Sequence, residues 1–188
     1  TTSITTSNLD VQGELNWPVL DIQRANVVMD DASHIDLVGK YDFAEKTVRD
    51  GRLNSSGPFG GQFLPAGYSF ETASLSGTFA GPIAHITNSV QAQIQGVSVP
   101  HLDKLNAAAS WSGDGLNAKQ AEVTLKSGSS SLLLRGSTEF DSKQKSLTLT
   151  ALELSNSNSV ALRLDQPTQI ALDQNDTTTN KSWSVNLN

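Results

Sequence analysis

The sequence predicts an all-β chain, a long antiparallel meander of about 10–12 strands. Three observations predict it. Apolar and polar residues alternate with a period of two along most of the chain, which puts successive side chains on opposite faces of a strand. Clusters of Gly, Asp, Asn and Ser interrupt the alternation about every 8–14 residues, the spacing of short hairpins. Polarity is carried by 24 Ser, 16 Thr and 13 Asn more than by charge, since Asp, Glu, Lys and Arg make up 17% of 188 residues. A hydroxyl-rich, charge-poor sequence suits a pleated surface better than a helical one.

The elements follow in order. Leu9, Val11, Leu15 and Trp17 share one parity with Gly13, and Asp10, Gln12, Glu14 and Asn16 share the other. Ile35, Leu37, Tyr41 and Phe43 repeat the pattern against His34, Asp36, Lys40 and Asp42. It returns from Leu75 to Phe79, at Val90–Ala92–Ile94, at Val123–Leu125, from Leu132–Leu134 to Phe140, at Leu147–Leu149 and at Val160–Leu162–Leu164. Turns are expected at 30–33, 49–51, 112–115, 126–129 and 156–159, where Gly, Asp and Asn tolerate the left-handed backbone that tight hairpins need. The Gly- and Pro-rich stretch 57–68 is expected to be an irregular loop. The best helix candidate is 101–109, after Pro100, although LNAAASW also alternates acceptably. Parity flips at Gly96–Val97 and at Ala151–Leu152, and each flip implies a bulge or a strand break.

These runs describe one repetitive β-rich domain over 9–172. Residues 1–8 read as a disordered or cut edge, and 173–188 as a polar tail with room for a terminal strand. Segments 25–43 and 121–140 share an Ala-x-Val opening, a glycine (Gly39, Gly136) and an aromatic four residues later (Phe43, Phe140). GELNWP at 13–18 echoes GTFAGP at 77–82. A degenerate strand-turn-strand repeat belongs to an architecture extendable by hairpins.

Function classes are mostly removed. The absence of cysteine excludes disulfides, thiolate metal sites and a cysteine nucleophile. His34, His85 and His101 form no ligand spacing, and Asp30–Asp31 before His34 reads as an acidic turn entering a strand. GPFGG at 57–61 lacks the Lys-Ser/Thr of a phosphate loop. A net charge of −6 speaks against a nucleic-acid binder, which carries a basic stripe. Neither a leader-type start nor an apolar run of membrane-spanning length is present. Neither an enzyme nor a cofactor is expected.

What remains is the apolar parity, which serves equally as the inside of a closed β-sandwich or as the lining of an open groove. On the pattern alone the sandwich is the simpler reading. Three segments alter that: GELNWPVLDIQRANVVMDDASHIDLVGKYDFAEKTVRDGRL (13–53), LSGTFAGPIAHITNSVQAQIQGVSVPHL (75–102) and WSGDGLNAKQAEVTLKSGSSSLLLRGSTEF (111–140). Their strand, Ala-x-Val strand, turn and Gly-terminated apolar strand resemble the recurring units of the AsmA-like, TamB-type family of bacterial envelope proteins. The resemblance covers about 9–172 and is compositional, with no catalytic motif to match. It implies an elongated β-taco or half-pipe with an apolar groove, within a periplasmic protein anchored in the inner membrane by a segment outside this chain. It implies phospholipid acyl chains as cargo between envelope membranes, with outer-membrane assembly proteins as a further partner class.

The groove lining expected on that reading is Val11, Leu15, Ile35, Leu37, Val90, Ile94, Val123, Leu125, Leu132, Leu134, Leu147 and Leu149. The alternative is a sandwich-type binding or stalk module of a secreted or surface protein. It would recognise carbohydrate or protein through loops 57–68 or 112–115, with Phe59 and Phe63 as contacts.

Overall fold

A computed structural model describes residues 6–59, 68–98, 104–140, 145–157, 159–174 and 183–187. Thirteen strands form a single antiparallel sheet: β1 (Thr6–Asn16), β2 (Val19–Met29), β3 (His34–Asp42), β4 (Thr47–Gly57), β5 (Thr72–Pro82), β6 (Thr87–Val97), β7 (Leu105–Asp114), β8 (Asn117–Ser127), β9 (Ser130–Phe140), β10 (Lys145–Asn156), β11 (Ser159–Arg163), β12 (Thr168–Gln174) and β13 (Trp183–Leu187). From β1 to β10 each strand pairs with the next. Beyond β10, β12 pairs with its first half and β11 with its second, and β13 pairs with β12. A short 3₁₀ turn, Ile83–His85, joins β5 to β6.

Among the described residues the sheet is open and has no second layer. The chain exposes 12979 Å², whereas a compact monomer of this length exposes about 8,700 Å². Among the described residues, Val90 is the only buried large apolar side chain. A closed sandwich would bury a dozen, so the sandwich alternative does not describe this fold.

Curvature has a repeated local cause. Register shifts put an extra residue on β2, β4, β8 and β10, opposite or beside Gly13, Gly39, Gly113 and Gly136 on the preceding strands. A Cβ on Gly13 would sit 2.6 Å from the Asp21 carbonyl oxygen, and one on Gly39 2.9 Å from the Gly51 Cα. On Gly113 or Gly136 it would collide with the carbonyls of Asn117 or Thr148. Bulges paired with glycines bend a sheet at chosen points. The sequence echo of Gly39 and Gly136 is therefore the same bend made twice. The apolar side lies inward: along β5, Thr72, Ser74, Ser76 and Thr78 are exposed, whereas Ala73, Leu75 and Phe79 are half-buried and Gly77 is buried.

Both expected parity flips are bulges, at Thr150 between Leu149 and Ala151 and at Gly96 between Ile94 and Val97. Three expectations need correction. Residues 105–109 of the helix candidate belong to β7, because Ala107 pairs between Ile94 and Leu125 and Ala109 between Ala92 and Val123; 101–103 lie outside the described residues. Arg49–Gly51 is not a turn but the bulge of β4, with Asp50 at φ 53°, and the chain reverses at 43–46 instead. Residues 6–8 belong to β1. The expected long meander is observed, with thirteen strands among the described residues, three of them short and lying from 159 onward.

Candidate apolar groove

In an antiparallel ladder, directly paired residues project from the same face. Following the register across the sheet gives one uninterrupted row: Val11, Ala25, Leu37, Leu53, Gly77, Val90, Trp111, Ala121, Gly136, Leu149 and Thr168. The next row on this face is Leu9, Val27, Ile35, Ser55, Leu75, Ala92, Ala109, Val123, Leu134 and Leu152. A third runs Ala73, Ile94, Ala107, Leu125, Leu132, Leu154 and Leu162. Leu15 heads a further row with Leu20, Tyr41 and Val48, and Leu147 lies between Thr138 and Ile170.

All twelve residues singled out in the sequence therefore share one face. The register adds Ala25, Val27, Leu53, Leu75, Trp111, Leu152 and Leu154 to it. Trp111 was legible only as an aromatic; pairing with Val90 on one side and Ala121 on the other puts it at the centre. Leu152 and Leu154 return to this face only because the Thr150 bulge reverses their parity.

Across the middle of the face the small residues Gly77, Ala92, Ala107, Ala109, Ala121 and Gly136 are interspersed with the bulkier Val90, Trp111, Ile94 and Leu125. Small side chains on the inside of a bend allow backbone to curve without steric conflict. Val90, at 4% exposure, lies deepest, and Ile94, at 36%, still meets solvent. The face is thus continuous, mainly apolar and, among the described residues, uncovered.

The opposite face is polar and carries ion pairs between neighbouring strands. Arg24 pairs with Asp10 (3.4 Å), Lys40 with Asp21 (2.9 Å), Arg135 with Glu122 (2.7 Å) and Arg163 with Glu153 (2.8 Å), all on adjacent strands. Asn26 donates to Asp36 at 2.8 Å. The hydrogen bond to Asp21 raises the Lys40 pKa above its ordinary value, and the one from Arg163 holds Glu153 below the usual glutamate range. A shallow depression of about 590 Å³ on this side is lined by Ser89, Gln91, Ser110, Glu122 and Arg135, whose guanidinium is taken by Glu122.

Compared with known protein families, characterised proteins and solved structures, the chain matches none.

The remaining candidates resolve as local structure. His34 Nε2 lies 3.1 Å from the Ser56 hydroxyl, and Asp31 accepts the Ser33 N–H at 2.9 Å, closing a turn. No group of three or more His, Asp or Glu side chains is arranged to hold a metal among the described residues. No helix among them is long and apolar enough to cross a membrane. Of the loop contacts expected for a binding module, Phe59 is half-buried with its N–H donated to Ser33 Oγ at 2.7 Å. Phe63 lies outside the described residues, and Ser112–Asp114 is strand.

Proposed function

We propose that this chain is a non-enzymatic segment of an envelope protein whose apolar face shields phospholipid acyl chains from water during their passage between membranes. The observation that carries the proposal is the unbroken apolar row from Val11 to Leu149, left uncovered on one face of an open sheet. Leaving that face in water is unfavourable, and an acyl chain laid along it gains about 0.8 kcal/mol per buried methylene. The rows run across the strands, so a lipid tail can pass from strand to strand over a mainly apolar surface, interrupted by the Ser55 hydroxyl and the Asn88 amide. The resemblance to AsmA-like, TamB-type proteins supports the same cargo and a periplasmic setting, with outer-membrane assembly proteins as further partners.

The test is native mass spectrometry of the purified chain with identification of extracted lipid, repeated for Ile94→Asp and Leu134→Asp. Bound phospholipid that vanishes in variants with an intact β circular-dichroism spectrum supports the groove. A lipid-free chain whose thermal stability is unchanged by added phospholipid refutes it.

A further inference from the structure

Independently of the groove, the two ends of the strands differ. The turns after β1, β3, β5 and β7 emerge at one end of the meander, and β9 finishes there. Each presents a large apolar side chain to solvent: Trp17 (77% exposed), Phe43, Ile83 (55%), Leu116 (80%) and Phe140. At the other end the described hairpin tips are Asp30–Ser33, Ser127–Ser130 and Asn156–Ser157, with Tyr68 as the exposed ring.

The apolar tips are held in line. The Phe43 N–H donates to the Pro18 carbonyl (2.9 Å), Ile83 N–H to Lys46 (2.9 Å) and Gly115 N–H to Ile86 (2.8 Å), so each turn is tied to the next. The Thr138 hydroxyl reaches the Leu116 carbonyl at 3.1 Å. Trp17 stacks on Phe43 with ring centroids 5.5 Å apart, and Tyr41 meets Phe43 edge-on. Charges at this rim are mostly paired: Arg49 with Asp42 (3.4 Å) and Glu45 (2.7 Å), and His85 beside Asp114 (3.8 Å).

We propose that this rim docks on the interface of a lipid bilayer, inserting its row of apolar tips among uncharged (zwitterionic) headgroups. Successive turns on one end lie about 10 Å apart, twice the strand spacing. The rim is therefore a line, with Trp17, Phe43 and Tyr41 in contact at one end and Ile83 and Leu116 on separate turns, and not one compact patch. A folded protein partner needs a compact desolvated centre, whereas a fluid interface accepts isolated insertions. Tryptophan and its aromatic neighbours suit that boundary, apolar in body with a polar edge. With Arg49 and His85 beside carboxylates and a net charge of −6, attraction to anionic lipid is not what holds the rim.

The experiment is flotation of the 188-residue chain with phosphatidylcholine vesicles at low and high salt. Binding insensitive to salt is expected. It should weaken about a hundredfold in Trp17→Ser/Ile83→Ser/Leu116→Ser, and be unchanged in Tyr68→Ser and in Ile94→Asp, which disables the groove and not the rim. If the triple variant loses its β circular-dichroism spectrum, Leu116→Ser alone carries the test, with a smaller loss in the same direction. The proposal is overturned by absence of flotation, by flotation that the rim variants retain or Ile94→Asp abolishes, or by binding that requires phosphatidylglycerol. It is equally overturned if the rim variants only dissolve a dimer, because the apolar line is then a contact between protein chains.

Discussion

β1 and β6 are both 11-residue strands with apolar residues on the same face, yet their environments have little in common. On β1, Leu9, Val11 and Leu15 are 65%, 63% and 61% exposed, while Val90 on β6 is nearly inaccessible. Both strands lack a covering layer. The difference is lateral: β6 has β5 and β7 on its two sides and lies where the sheet bends, and β1 has only β2. Burial in this protein comes from neighbours within the sheet and from curvature, so each strand contributes according to its place in the row and not its hydrophobicity.

The largest effect should come from breaking the centre. Val90→Asp places a carboxylate among Gly77, Trp111 and the flanking rows, and is expected to cost about 3 kcal/mol or more in urea unfolding. An effect as small as that of an edge substitution would mean that water already reaches β6. Next is the bend: Gly136→Val drives side-chain atoms into the Thr148 carbonyl and should cost about 2–3 kcal/mol, whereas Gly115→Val, in an open turn with nothing within 4 Å of its Cβ, should strain only its own backbone. Equal costs would remove the glycine-and-bulge account of curvature.

A smaller, local effect is expected at the far side of the sheet. Arg163 holds the Glu153 carboxyl below the usual glutamate range, so the folded pKa lies beneath the unfolded one. The pair therefore steadies β11 above the ordinary glutamate pKa and releases it as pH falls through the lowered value. Hydrogen exchange at 159–163 should quicken over that acidic interval in the native chain, and Arg163→Ala should abolish the pH dependence. The smallest effect belongs to the edge: Val11→Ser should change stability by no more than about 0.5 kcal/mol. A loss comparable to that at Val90 would show that β1 is covered in solution, by another strand or another copy.

Much of the fold was legible because period-two alternation is a local property. The strands over 9–16, 35–42, 75–79 and 123–134 and the bulges at Gly96 and Thr150 follow from parity alone. Errors occurred where two local readings compete. Arg49-Asp50-Gly51 carries turn chemistry, but Asp50 uses its left-handed backbone for a bulge, and the chain reverses at 43–46, where the Asp42 carboxylate accepts the N–H groups of Ala44 and Glu45. Leu105–Ala109 carries helix propensity, which pairing with β6 and β8 overrides.

The candidate face divides the same way. Sequence by itself determined which side chains share a face, because the alternation is written residue by residue, and the twelve named residues do share one. It could not determine whether that face is closed, because a sandwich core and an open groove need the same pattern. Only the tertiary structure decided it. Among the described residues thirteen strands pair in one sheet, their inward small residues and paired bulges bend it, and no second layer covers Ile94 or Leu37. The rim of Trp17, Ile83 and Leu116 was hidden for the same reason: residues up to 99 positions apart become neighbours only when an antiparallel meander sends every second turn to the same end.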